Sequence, residues 1–296
     1  MALTVHPLHP LIGAEAGGVD LRQPLARDEI AAIERAMDRH AVLVFRGQDI
    51  GDDQQVRFSE NFGRLERTGG NNVRRADERR LGIEFADVSN LDHRGKLLAA
   101  DDRNRMFNLG NTLWHSDSSF HAVPAKYSLL SGRVIPETGP DTEFADMRAA
   151  YDALDEETKR EVENLVCHHS LMYSRGLLGF TEFTEEERRR FAPVRQRLVR
   201  AHPVTGRKSL FLASHIGTVE GWPVPYARAY IRDLIEHATQ RKFVYAHRWR
   251  QHDLVMWDNR QTMHRVRLFK DTAHVRDVRR TTLSGDGPTI EQVQAA

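Results

Sequence analysis

The fold turns on the run Asp253-Leu-Val-Met-Trp257-Asp-Asn-Arg-Gln-Thr-Met-His264-Arg265. Four consecutive apolar residues, Leu254 to Trp257, read as a strand buried on both faces, because a half-buried strand would alternate. Asp258-Asn-Arg then reads as a turn, which delivers a histidine followed by an arginine. Taken alone, His264 is equally a neutral metal ligand or a core imidazole satisfied by Asp258.

Outward from this run the chain reads as many short strands with a few helices. Strands are expected at Tyr127 to Ile135, Thr142 to Asp146, Leu198 to His202, Ser209 to Ala213, Phe243 to Trp249 and Val275 to Leu283. Asp28 is expected to cap a helix carrying Ile30, Ile33 and Met37, followed by a buried strand, Ala41 to Phe45, that Gly47 ends. Further helices are expected over Asp53 to Phe62, Arg148 to Leu165 and Pro225 to Gln240. Helices that fall outside the strand pattern point to an α+β fold around a sandwich or barrel. No repeat, low-complexity tract or long linker interrupts the chain, so 1–296 reads as a single domain, with the polar stretch around 90–110 as a mobile loop.

The 296 residues carry 43 basic and 42 acidic side chains, a net charge of +1. That balance excludes a nucleic-acid grip through a strongly basic face, which needs many uncompensated cations opposite phosphates. Of the 43 cations 37 are Arg and 6 are Lys. Arginine binds carboxylates with two-pronged geometry, although a codon bias would give the same ratio. The single cysteine, Cys167, cannot form an internal disulfide, and Met1 to Pro10 lacks the pattern of a secretory leader. The longest purely apolar run, Ala41 to Phe45, is far short of the roughly 20 residues a membrane helix needs. A cytoplasmic protein with neither nucleic-acid nor membrane partners is expected.

Two more elements carry chemistry. His115-Ser-Asp117 puts an imidazole and a carboxylate two residues apart, on one face if the segment is extended, where they can share a metal. With 15 His in the chain such a pair also arises by chance, as a hydrogen-bonded surface pair. Arg276-Asp-Val-Arg279-Arg280 reads as a strand whose period of two sends Arg276 and Arg280 to one face and Arg279 to the other. An inward arginine is costly unless it meets an anion, so two on one buried face suggest two bound carboxylates; the alternative is a solvated edge strand.

Joined in order, these elements are more specific than any one of them. Gly110-Asn111-Thr-Leu-Trp114-His115-Ser-Asp117, Gly139-Pro-Asp-Thr142-Glu-Phe, Val255-Met-Trp257-Asp-Asn-Arg260, His264-Arg265 and the closing arginine-rich strand resemble the taurine dioxygenase family of Fe(II)/2-oxoglutarate oxygenases. Within that family the likeness is to the 2,4-dichlorophenoxyacetate dioxygenases. It runs nearly the whole chain, from Pro7-Leu-His-Pro-Leu and Val42-Leu-Val-Phe-Arg-Gly-Gln48 onward.

The resemblance implies a double-stranded β-helix, or jelly roll, with flanking helices. It implies Fe(II) held by His115, Asp117 and His264, with 2-oxoglutarate and O2 as co-substrates. Thr142 and Arg276 match the residues that bind the distal carboxylate of 2-oxoglutarate, and Trp257 matches one that lines its pocket. Arg280 matches the arginine that meets the substrate's anionic group, while Asn111, His215 and Lys96 match further substrate contacts. One departure is that Arg276 follows His264 by twelve residues, one more than the family pattern, which leaves Arg279 as the fallback.

The activity implied is hydroxylation of the carbon beside the ether oxygen of an aryloxyacetate, releasing a phenol and glyoxylate together with succinate and CO2. The same chemistry on a sulfonate or sulfate ester such as taurine is the alternative. Less favoured are a zinc hydrolase, which can use two His and one carboxylate but has no need of paired inward arginines, and a non-catalytic 2-oxoglutarate-binding module, which should have lost one of the three ligands. Exposed helices such as Arg148 to Leu165 leave room for a homo-oligomer interface.

Overall fold

The computed structural model describes residues 3–67, 73–74 and 76–292, so the single-domain span 1–296 extends past them at both ends. The opening run forms the strand Leu254–Asp258, buried at every position as its unbroken apolar text requires. It lies at the centre of a seven-stranded sheet. In spatial order the strands are Thr4–Pro7, Ala14–Gly17, Val42–Phe45, Leu254–Asp258, Ala125–Val134, Asp277–Ser284 and Phe85–Asp87. All neighbours are antiparallel except Ala14–Gly17 against Val42–Phe45.

Register explains why both faces are apolar. Met256 stands between Leu43 and Leu129, and Val255 between Val44 and Leu130. Alternation sends Leu43, Phe45, Leu129, Leu254 and Met256 to an outer core shared with Ile33, Met37 and Phe58. The other set, Val42, Val44, Leu130, Val255 and Trp257, meets Phe144 and Tyr245 in an inner core. Those two aromatics belong to a three-stranded antiparallel sheet ordered Val244–His247, Thr142–Asp146 and Thr262–Val266. The inner core therefore binds the two sheets face to face in an α+β arrangement.

The helix Arg27–His40 covers the outer core with Ile33, Ala36 and Met37. Asp28 sits in its first turn rather than at its cap, and Glu29 reaches back to the Ala26 N–H at 2.8 Å. Ala41, at φ 58°, turns the chain sharply into Val42–Phe45. The stretch expected as one helix from Arg148 to Leu165 is two, Met147–Asp152 and Glu156–Val162. Asp155 breaks it by accepting the Thr158 N–H at 2.8 Å, the preference of a short carboxylate for an N-cap. Glu156 and Glu157 in the first turn and Lys159 and Arg160 in the last then complement the helix dipole.

Thr262–Val266, expected as the end of a turn, is a strand paired with Thr142–Asp146. Another three-stranded sheet, Ile216–Val219, Val166–His169 and Val194–Arg197, was not expected from its short and polar text. The polar segment around 90–110 has structure of its own. Leu91 bridges Leu97, Asp102 caps helix Arg103–Asn108, and Arg105 pairs with Asp271 at 2.8 Å. Among the described residues no helix is long and apolar enough to cross a membrane.

Candidate active site

His115 and His264 are brought together by backbone pairing. Each donates its N–H to the other's carbonyl, at 3.0 and 2.8 Å, which extends the edge of the small sheet. Their rings lie 4.2 Å apart. Asp117, two residues on, directs its carboxylate at both, 4.0 Å from His115 Nε2 and 3.8 Å from His264 Nε2. One ligand atom from each of the three falls within 4.8 Å of the others, and all three residues are buried.

The donor set suits a divalent first-row ion. His115 Nδ1 donates to the Leu113 carbonyl at 2.8 Å, which fixes the tautomer and leaves the Nε2 lone pair facing Asp117. Burial pushes His115 down to about 4 and His264 well below its usual value, so both rings are neutral near pH 7. Burial alone would raise Asp117, but the Arg280 guanidinium, with the two histidines and Ser128, holds it below the ordinary carboxylate range. Two lone pairs and one anion converge on a buried site, and two or more positions around an ion would stay open for other ligands.

Asp117 is fixed from three sides. Its N–H donates to Asn259 Oδ1 at 3.0 Å, Ser128 Oγ donates to its Oδ2 at 2.7 Å, and Arg280 Nη1 donates to its Oδ1. Asn259 in turn accepts from Trp257 Nε1 and donates to Ser128 Oγ. The Trp257 ring packs 4.7 Å from that of His264. Trp257 is thus a wall behind a candidate ligand, not a residue that borders either cavity.

Two cavities flank the cluster and share Val88, Asn108 and Asn111 as a common wall. The first, of about 240 Å³, is closed on one side by Arg276. Arg276 is 4% exposed, and no side chain among the described residues donates to or accepts from its guanidinium. Burial pushes it down to about 10 with no carboxylate to offset the effect. The second cavity, of about 40 Å³, is bounded by His115, Asp117, Arg280, Asn111 and His215.

The fallback Arg279 points the other way, chelating Asp52 at 2.7 and 2.8 Å and reaching Asp277 at 3.0 Å. The alternation expected of the arginine strand therefore holds. Lys96 is exposed in a turn where Asp92 accepts its backbone N–H, and it borders neither cavity. Thr142 is buried in the small sheet opposite Val266, its hydroxyl accepting from Trp249 Nε1 at 2.9 Å, and it borders neither cavity.

Residues 4–282 match the family described as taurine catabolism dioxygenase TauD, TfdA family. The chain is also 48% identical to the alpha-ketoglutarate-dependent 2,4-dichlorophenoxyacetate dioxygenase of Cupriavidus pinatubonensis, over 97% of this chain and 99% of that protein. This protein belongs to the TauD/TfdA family. Another relative, the (S)-phenoxypropionate/alpha-ketoglutarate-dioxygenase of Delftia acidovorans, is 35% identical over 89% of each chain. Among solved structures, that of AAD-2 in complex with Mn(II) and N-oxalylglycine superposes with a TM-score of 0.91 at 55% identity, covering 99% of this chain and 100% of that one.

Sequence reading overlooked several residues that this TauD/TfdA chain gathers at the site. Asn259 stands in the quoted motif without a role, although its period-two relation to Trp257 puts both on the inner face. Ser128 and Arg175 carry no local signal at all. Ser118, at φ 53°, donates to Glu66 at 2.8 Å, holding strained backbone immediately after Asp117.

Proposed function

We propose that this protein is an Fe(II)- and 2-oxoglutarate-dependent dioxygenase that hydroxylates aryloxyacetates at the carbon beside the ether oxygen. The observation that carries this reading is the pairing of a buried His–Asp–His cluster with a cavity closed by an unneutralised arginine. His115, Asp117 and His264 would hold the iron, and Arg276 would take the distal carboxylate of 2-oxoglutarate, helped by the Thr142 hydroxyl. A hydrolase has no use for that second anion site. We further read the facing sheets as a double-stranded β-helix and the 90–110 segment as the element that opens for entry.

Bound Fe(II) supplies the oxidising chemistry, in which 2-oxoglutarate and O2 become succinate and CO2 while a substrate C–H is hydroxylated. The rest falls to this chain's residues, and it is positioning. Asn259, Ser128 and Arg280 hold Asp117 at one angle, and the Leu113 carbonyl and the Trp257 ring fix the two imidazoles. A substrate carboxylate in the second cavity meets Arg280 and its neighbours, which directs the adjacent methylene toward the cluster. Hydroxylation there gives a hemiacetal, which collapses to a phenol and glyoxylate. Phe107, Phe120 and Leu171 in the same wall suit an aryl ring and exclude water from it.

Anaerobic addition of Fe(II) and then 2-oxoglutarate tests the assembly of the site. A visible charge-transfer band is expected with the native protein and none with Asp117→Ala. Absence of the band in the native protein would contradict the reading.

A further inference from the structure

The cavity beside the His–Asp–His cluster holds a second arginine. Arg175, on helix Leu171–Gly176, is 5% exposed and borders the same space as Arg280 and His215. Among the described residues its guanidinium pairs with no carboxylate. Its polar contacts among the described residues are two long ones, 3.4 Å to Ser174 Oγ and 3.4 Å to Asn111 Oδ1, and its Nε has no partner among them. Arg148 and Arg260, also buried, meet an acid, Asp146 and Asp258, each at 2.8 Å, whereas Arg200 lies over Phe211 with one long contact to Gln292. Arg175 resembles Arg276 instead: burial pushes it down to about 9 with no charged neighbour to offset the effect. A guanidinium buried without a counter-charge is costly, and an anion arriving beside it relieves that cost.

The position is built rather than incidental. Phe107 lies under the guanidinium, 4.6 Å from ring centroid to Cζ. Gly110 lies against it so closely that a Cβ there would come within 2.2 Å of Cζ and Nη1. Glycine at that position is therefore what admits the guanidinium, five residues before His115. Ser174 carries the arrangement on to His215, whose Nδ1 lies 2.7 Å from its Oγ. Arg280, the other cation of the cavity, differs in that Asp117 already neutralises it and Glu66 is near enough to feel its charge.

We propose that Arg175 anchors the substrate's carboxylate and is the residue that selects carboxylate-bearing aryloxyalkanoates over neutral molecules of the same shape. This rests on the oxygenase reading and names the group by which that site grips its substrate. Asn111, in contact with Arg175 and bordering both cavities, aims the guanidinium. An aryloxyacetate then lies with its carboxylate between Arg175 and Arg280 and its ring against Phe107 and Phe120.

The test is calorimetric titration of the anaerobic Fe(II)–2-oxoglutarate complex with 2,4-dichlorophenoxyacetate and with its neutral amide, 2,4-dichlorophenoxyacetamide. The native protein should prefer the acid. Arg175→Gln should weaken acid binding by about 10- to 100-fold, the range for one charge-assisted hydrogen bond, with little change for the amide. Arg175→Lys should keep part of the preference. Gly110→Ala keeps every polar group but displaces the guanidinium, so it should also erode the preference, and it decides the matter if Arg175→Gln does not fold. An acid preference unchanged in Arg175→Gln or Gly110→Ala overturns the proposal. The charge-transfer band separates the two levels: its absence in the native protein removes the oxygenase reading itself, whereas a normal band with an unchanged preference removes only the role of Arg175.

Discussion

The carboxamide oxygen of Asn259 accepts the Trp257 indole N–H at 3.1 Å and the Asp117 backbone N–H at 3.0 Å. One atom thus ties the wall behind His264 to the backbone of the candidate carboxylate ligand. Groups that orient metal ligands without touching the metal typically carry 10- to 100-fold of its affinity. Asn259→Ala is expected to weaken Fe(II) binding by about that factor, measured by anaerobic titration against a competing chelator. Native-like affinity in the variant would show that Asp117 is held well enough by Ser128 and Arg280.

Arg276 and Arg279 make a contrasting pair. Arg276→Ala should raise the KM for 2-oxoglutarate by about 10- to 100-fold, because it removes the cation that closes the first cavity. Arg279→Ala should leave that KM near the native value, since Asp52 and Asp277 engage its guanidinium on the opposite face. Its stability cost should be about 1 kcal/mol or less, as for partly exposed ion pairs. Steady-state kinetics and urea unfolding of the two variants check both halves.

Acid should destabilise the fold through His169. Both ring nitrogens lack a hydrogen-bond partner among the described residues, and burial pushes the imidazole from 6.5 down to about 3. Between those values the unfolded chain carries a proton on this ring and the folded chain does not. Stability must therefore fall as pH drops through that window, by up to about 1.4 kcal/mol per pH unit for this residue. His169→Phe keeps the stacking on Phe211, at 5.5 Å and 18°, and removes the titration. Urea unfolding of the variant should show a shallower loss between pH 7 and 5, and an unchanged slope would refute the assignment.

What could be read from the text follows a physical line. Leu254–Asp258 was visible because burial on both faces leaves an unbroken apolar signature over Leu254 to Trp257. The cluster was visible because His115, Asp117 and His264 occur in an order and context shared with a family. The strand Val166–His169 was not, because its four residues alternate without strong apolar contrast. Arg175 was hidden for another reason. It is one of 37 arginines, and its burial is created by Phe107 and Gly110, residues that only the folded chain brings to it.

Asp258 and Arg260 set the turn that precedes His264. Both are buried, paired at 2.8 Å, and joined by Gln261 Nε2 at 2.7 Å and His202 at 3.3 Å. Asp258→Ala would leave Arg260 in the interior with only the half-exposed Asp286 at 3.1 Å, so the loss should approach but not exceed about 3–5 kcal/mol, the cost of breaking a buried pair. A fall in Tm with loss of Fe(II) affinity is expected by differential scanning, and a variant as stable as the native protein would contradict the role given to the pair.

The central claim is a coupled oxidation of an aryloxyacetate. Its most direct measurement is the product balance with 2,4-dichlorophenoxyacetate, Fe(II), 2-oxoglutarate and O2. Equal amounts of 2,4-dichlorophenol, glyoxylate and succinate are predicted for each O2 consumed, with none formed when iron, 2-oxoglutarate or oxygen is withheld. Phenol released at full rate with zinc and without oxygen would contradict the account.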